Sequence, residues 1–240
     1  MISVVLFDLD DTLFAHRRAV EVGVVAHLRT IGLLSPHTDA AAEAARWSAL
    51  EEEHYTRYLH GELDYLGQRR ARATDFLAPY GVEFDTDAAA EEWFETYLHE
   101  YRAAWTLHED ALPALRSLSR FRLGIITNGV THFQKPKLDA LGITRFFDHV
   151  ITSGDFGAAK PHPSIFLHAC AVFGVEPAEA AYVGDRLHTD AIGAVGAGLT
   201  GVWLNRNAPD EPAAMAEASD AGVLVISTLD ELSPRLTAVI

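Results

Sequence analysis

Lysine is nearly missing from this chain. Of 19 basic residues only Lys135, Lys137 and Lys160 are lysine, and the rest are arginine. A lysine in such a chain suggests that a compact point charge is needed there. Cysteine is scarcer still. Cys170 stands alone, which excludes an internal disulfide and suits a reducing compartment; it reads as a small core residue on a helix. No apolar run approaches the roughly 20 residues that a membrane span needs. No basic segment precedes an apolar stretch near the first residue, so a secretory signal is not expected. These absences predict a soluble, cytoplasmic protein. Positive charge is short overall, with a net charge of −15. Such a surface repels nucleic acid and anionic lipid, so neither is an expected partner. An anionic small molecule would need positive groups gathered locally.

What is present is a regular alternation. Hydrophobic residues make up 49% of the chain, enough for a packed core. Apolar runs near residues 4–7, 122–127, 150–153, 180–183, 201–204 and 223–226 are mostly continuous, which predicts strands covered on both faces, hence a parallel sheet. Helical spacing lies between them. Ile165, Phe166, Ala169 and Phe173 share one face, with Gly174 as a stop. Thr228 to Glu231 has capping-box spacing and opens a last helix. An Ala-rich acidic stretch runs from Asp210 to Ala221. The fold class is therefore α/β, a doubly wound, Rossmann-like parallel-sheet core.

Residues from about 15 to 105 break the alternation. Trp93, Tyr97, Tyr101 and Trp105 recur in steps of four; Trp47, Leu50, His54 and Tyr58 form a second stripe. Leu66, Ala73, Phe76, Leu77 and Tyr80 form a third, and residues 20–34 a fourth. Aromatic stripes at helical spacing are core positions. A bundle of about four helices is thus inserted after the first strand. Residues 1–14 and 107–240 are assigned to the α/β core, and 15–106 to a helical cap.

The chemistry gathers at predicted strand ends, where open parallel sheets bind ligands. The first strand runs into Asp8, Asp10 and Asp11. In extended chain Asp8 and Asp10 face the same way. Two carboxylates about 4 Å apart repel by roughly 4 kcal/mol at an effective dielectric of about 20. Either a cation sits there or one acid keeps a proton; the plain alternative is a solvated turn with Asp11 or Thr12 capping a helix. The second strand ends in Thr127, Asn128 and Gly129, a hydroxyl, an amide and a flexible backbone that can hold phosphoryl oxygens. Lys160 precedes a helix whose first turn can accept Pro163. A fourth strand enters Gly184 and Asp185, with Asp190 five residues on, a pairing that suits metal binding or helix capping.

Taken together, Asp8-Leu9-Asp10-Asp11-Thr12, Thr127-Asn128-Gly129, Lys160-Pro161 and Gly184-Asp185 with Asp190 resemble the four ordered motifs of the haloacid dehalogenase-like (HAD) hydrolase superfamily, in its phosphatase type with an inserted helical (C1) cap. The resemblance implies that Asp8 is a nucleophile forming an aspartyl-phosphate and that Asp10 is a general acid and base. It implies Mg²⁺ held by Asp8, the backbone carbonyl of Asp10 and Asp185, with Asp190 orienting the metal shell. Thr127 and Asn128 would hold the transferring group, Lys160 would offset charge near Asp8, and Thr12 would brace the loop.

An acid at position 10 argues against dehalogenation, because halide leaves without a proton. A phosphomutase would keep the same set of residues. Residues 15–105 contain no lysine, which weakens a phosphonatase. A phospho-receiver or binding module would share clustered acids, a threonine and a lysine, but not the helical insert. The expected activity is Mg²⁺-dependent hydrolysis of a small phosphorylated metabolite, with nucleoside monophosphates and sugar phosphates leading; oligomeric state is left open. His16, Arg17, Arg18, Arg57, Arg69, Arg70 and Arg72 are candidate contacts to a leaving group, although a solvated helix face is the expectation for each arginine. His188 is expected to be peripheral.

Overall fold

Val4, Val5, Leu6 and Phe7 are all fully buried. A strand with no polar face must be covered on both sides, and it belongs in the middle of a sheet. In the computed structural model, which describes residues 1–206 and 212–238, that is where it lies. Strand β1 (Val4–Phe7) is flanked by β2 (Arg122–Thr127) and β4 (Ala180–Gly184). β3 (His149–Thr152), β5 (Thr200–Leu204) and β6 (Leu224–Ile226) complete a six-stranded parallel sheet of order β3-β2-β1-β4-β5-β6. The chain runs outward on one side of β1 and then restarts on the other. The switch point lies between β1 and β4, where doubly wound folds place their ligands.

The chain divides into two compact units, Met1–Ala15 with Leu107–Ile240, and His16–Thr106. In the first, helices α5 (Ala111–Ser117), α6 (Thr131–Ala140), α7 (Ser153–Phe156), α8 (Pro163–Phe173), α9 (Gly193–Gly196), α10 (Pro212–Asp220) and α11 (Leu232–Ala238) surround the sheet; α1 to α4 belong to the second unit. α8 buries Ile165, Phe166, Ala169 and Phe173 against Val4, Leu6 and Tyr182. It ends at Gly174, whose φ of 67° only glycine adopts without strain. β3 stops one residue short of the predicted end, because Ser153 opens α7 and Thr152 caps it. Thr228 and Glu231 form the expected reciprocal box, but it closes a single 3₁₀ turn ahead of α11. Of the Ala-rich stretch, Asp210 and Glu211 lie outside the described residues. No described helix is long and apolar enough to cross a membrane.

The second unit contains α1 (His16–Thr30), α2 (Ala40–Leu59), α3 (Tyr65–Leu77) and α4 (Asp87–Ala103). Trp47 of α2 is its centre, with the rings of Phe76 and Tyr97 at 4.8 and 4.7 Å. α4 ends before Trp105, and Leu66 is exposed, so neither extends its stripe as the spacing suggested. Two arginines depart from the expected solvated face. Arg72 is buried over the Trp47 ring at 3.9 Å and donates to Glu51 and to the Tyr97 hydroxyl. Arg69 stacks on Tyr65 at 4.4 Å. Aromatic faces attract guanidinium groups, and a helical period does not reveal which polar position meets one.

Burial works against the Glu51 charge, but Arg72 and His16 outweigh it and hold the carboxyl well below its usual range. A depressed carboxyl contributes stability that is present above its unfolded value of 4.5 and is lost as pH falls below it. Glu51→Gln should flatten that acid limb. It should also cost about 3 kcal/mol at neutral pH by leaving a buried arginine uncompensated. Urea melts of both proteins between pH 7 and pH 3 check this; parallel curves would contradict it.

Candidate active site

β1 delivers Asp8 to the carboxyl edge of the sheet, and the chain then turns back tightly. The N–H groups of Leu13 and Phe14 both donate to the Leu9 carbonyl at 3.0 Å, and that of Asp11 donates to the Phe14 carbonyl at 2.7 Å. Asp11 carries the turn with φ 61°, the one non-glycine positive φ among the described residues. Aspartate tolerates this conformation better than most side chains. Thr12 is fully buried. Its Oγ1 accepts the Asp185 N–H at 3.1 Å, and its hydroxyl lies 3.3 Å from Asp8 Oδ2 and 3.5 Å from Asp185 Oδ1. Its carbonyl accepts from Arg206, whose guanidinium also grips Asp110 through two bonds of 2.8 and 3.0 Å. The loop after β1 is thereby tied to the loop after β4 and to the end of β5.

Lys160 reaches this edge from the residues before α8. Its ammonium donates to Asp8 Oδ1 at 2.7 Å, Asp190 Oδ1 at 2.8 Å and the Tyr182 hydroxyl at 2.6 Å, so all three protons are used. Burial opposes the charge, but Asp190 and Asp8 outweigh it and keep the group protonated. Tyr182 donates in turn to the Ile126 carbonyl at 3.0 Å. Asn128 fixes the Lys160 backbone from both sides: its amide donates to the carbonyl at 2.9 Å and accepts the N–H at 2.8 Å. That pairing directs the Asn128 side chain to Lys160. Thr127 is buried, and its hydroxyl oxygen accepts from Gln134 at 2.9 Å.

Asp190 lies not at a helix cap but inside a π-helical turn, Leu187–Ile192, a widening common at functional sites. Its Oδ2 accepts the Arg186 N–H at 3.0 Å. The turn fits because residue 184 is glycine: a Cβ there would sit 2.4 Å from the Asp190 carboxyl carbon. One carboxylate oxygen each from Asp8, Asp185 and Asp190 lie within 4.8 Å of one another. Burial pushes the Asp8 carboxyl up, Lys160 pulls it back, and Asp190 and Asp10 push it further. Burial, Asp8 and Asp190 raise Asp185 likewise. Hard oxygen donors carrying uncompensated charge are a fitting set for Mg²⁺.

Asp10, two residues past Asp8, belongs to a different set of partners. Its Oδ1 accepts from Lys137 at 2.5 Å and its Oδ2 from Gln134 at 3.0 Å. Sequence reasoning missed Lys137, Gln134 and Tyr182. The scarcity of lysine that singled out Lys160 applies equally to Lys137. The other two carry no comparable signal, since a glutamine on a helix and a tyrosine in a strand are ordinary. His188 is exposed beside Glu217, peripheral as expected.

Residues 2–198 match the family described as haloacid dehalogenase-like hydrolase, and the chain belongs to that family. It is therefore a hydrolase. It is 34% identical over 209 residues to a glyceraldehyde 3-phosphate phosphatase from Methanopyrus kandleri, covering 86% of this chain and 85% of that protein. Two solved structures share the fold: a HAD phosphatase from Thermococcus onnurineus (29% identity, TM-score 0.64, 98% of both chains) and a 2-haloacid dehalogenase from Pseudomonas syringae (27%, TM-score 0.67, 100% of both). Their similar scores leave the reaction to be decided by the site itself.

Gly184→Ala should push Asp190 off Lys160 or shift β4. The expected cost is about 1–3 kcal/mol, the range for overpacking a filled interior. Urea denaturation checks it, and an unchanged midpoint would contradict the packing.

Proposed function

We propose that the chain is a Mg²⁺-dependent phosphatase that hydrolyses a small phosphate monoester through Asp8. One observation carries the reading. Asp8 and Asp10 leave the same strand end, yet Asp8 sits with Lys160 and the acids of the β4 loop, while Asp10 sits with Lys137 and Gln134. Two neighbouring carboxyls in different environments are what separate nucleophile and acid–base roles require.

Asp8 attacks phosphorus, its oxygen forming a bond as the ester P–O bond breaks. Asp10 gives a proton to the departing alcohol, then takes one from the water that attacks the same phosphorus. That second attack releases inorganic phosphate and restores Asp8. Lys160 steadies Asp8 and offsets charge beside it. The Thr127 hydroxyl accepts from Gln134, which leaves its own proton for a phosphoryl oxygen. Asp8 and Asp185, with the Asp10 carbonyl, would hold Mg²⁺. Both Asp190 oxygens are engaged by Lys160 and the Arg186 N–H, so Asp190 suits a bracing part. Bound there, Mg²⁺ supplies two positive charges that offset the repulsion between a carboxylate and a phosphate.

The carboxyl at position 10 favours this over dehalogenation, which needs no proton donor for its leaving group. Among substrate classes, sugar phosphates gain over nucleoside monophosphates, since a relative that matches along most of the chain is named a glyceraldehyde 3-phosphate phosphatase. The acting partner is a small phosphorylated metabolite.

Phosphate release from p-nitrophenyl phosphate and from a panel of about a hundred metabolites is the direct test. Asp8→Asn should abolish release, by at least about 10³-fold given typical losses of a nucleophile, with an unchanged circular dichroism spectrum. Chelation of divalent metal should silence the enzyme. Full activity in chelator, or halide release from a 2-haloacid, would overturn the proposal.

The raised carboxyls also set a pH dependence. A carboxyl raised in the folded state costs stability as pH climbs above its unfolded value of 3.8. Metal binding competes with those protons. The rise in melting temperature on adding Mg²⁺ should therefore be larger at pH 8 than at pH 6; a smaller rise at pH 8 would contradict the assignment.

A further inference from the structure

Two of the three lysines are buried, and each holds a different carboxylate of the same loop. Lys160 holds Asp8; Lys137 of α6 holds Asp10. Lys137 is 1% exposed. Its ammonium lies 4.6 Å from the Phe14 ring centre and 5.5 Å from that of Phe133. Taking an ammonium out of water is costly unless its geometry is well matched. Asp10, about a third exposed, is its carboxylate partner among the described residues.

Gln134 stands three residues earlier on α6, so both side chains leave the same face. One N–H of its amide goes to Asp10 Oδ2 at 3.0 Å and the other to Thr127 Oγ1 at 2.9 Å. The amide is itself constrained. A Cβ on Gly129 would lie 2.7 Å from Gln134 Nε2 and 3.0 Å from its Cγ, so the glycine after Asn128 is what leaves room for it. Gly129 was expected to supply backbone freedom, but its φ is not in the left-handed region; what it supplies is space.

We propose that Lys137 and Gln134 are positioning residues for the acid–base step: Lys137 fixes one oxygen of Asp10, and Gln134 fixes the other and ties it to the hydroxyl of Thr127. This rests on the assignment of Asp10 as acid and base. A carboxyl on a freely turning side chain would have to be ordered in every turnover. Here both oxygens are held by one rigid helix face, which also orients a hydroxyl meant for the phosphoryl group. Proton donor and phosphoryl group are thus placed relative to one another through a single glutamine.

The test separates the proton-dependent step from the rest. Wild type, Lys137→Met, Lys137→Arg and Gln134→Met are assayed on glyceraldehyde 3-phosphate or another alkyl phosphate in the steady state, and on p-nitrophenyl phosphate in a rapid-quench first turnover. p-Nitrophenolate leaves without a proton. Lys137→Met should lower kcat on the alkyl phosphate by about tenfold or more, part of the 10²–10⁴ that a placed acid supplies. KM and the first-turnover release of p-nitrophenol should stay within about threefold by the same reasoning. Lys137→Arg should recover part of the loss. Gln134→Met, which also releases the Thr127 hydroxyl, should act on both substrates but lower kcat on the alkyl phosphate by more than it lowers first-turnover release of p-nitrophenol. Equal losses on both substrates, a change confined to KM, or wild-type kcat on the alkyl phosphate would overturn the proposal. If Lys137→Met does not fold, Gln134→Met and Lys137→Arg decide it alone. Asp10→Asn is run in parallel. If it shows no preference for poor leaving groups, the assignment of Asp10 fails. If it does and the α6 variants do not, only the positioning role fails.

Discussion

An ammonium surrounded by Asp8, Asp190 and Tyr182 is the interaction on which the rest of this structure turns. It converts a strand end that would otherwise repel itself into an ordered set of side chains. One positive charge among three carboxylates still leaves the pocket negative, and that deficit keeps Asp8 and Asp185 hungry for protons or for a divalent cation. A protein with a net charge of −15 can receive a phosphate only where the field is reversed, and at this edge of the sheet that reversal would need a divalent cation added to the Lys160 charge.

The fold was legible in the sequence because its signals are strong and local. Four consecutive apolar residues before Asp8 read as a strand covered on both faces, and the structure buries all four; Gly174 reads as a helix stop, and it takes the left-handed φ that ends α8. The acids at the ends of β1 and β4 were legible as candidates because a carboxylate closing an apolar run calls for a partner, and Lys160 because lysine is so scarce in this chain. What stayed hidden was everything that acts sideways. Tyr182 faces into the sheet interior and reads as one more apolar strand position. Gln134 and Arg72 occupy helix positions that look solvent-facing until a carboxylate or an aromatic face from a distant segment is brought beside them. Such contacts are set by tertiary packing, which no periodicity encodes.

The glycines teach a related point. Gly129 and Gly184 sit in motif positions usually credited with flexibility, yet here each is distinguished by what occupies the space where its side chain would be: the Gln134 amide in one case, the Asp190 carboxyl in the other. Both are small so that a polar side chain can be large and fixed. Rigidity at this site is obtained by omission.

The topology carries a consequence for how the molecule comes into being. The loop that bears Asp8 meets its partner in the β4 loop across 173 residues of chain, from Thr12 to Asp185. The helical unit, His16–Thr106, is contiguous in sequence and its contacts are local to it. β1 has no such local partner, because both of its neighbours, β2 and β4, lie beyond that unit in the chain. A wholly apolar strand thus depends on partners distant in sequence, Val4 pairing with Arg122 and with Ala180, and non-local pairing of that kind is slow to form and exposed to aggregation until it closes.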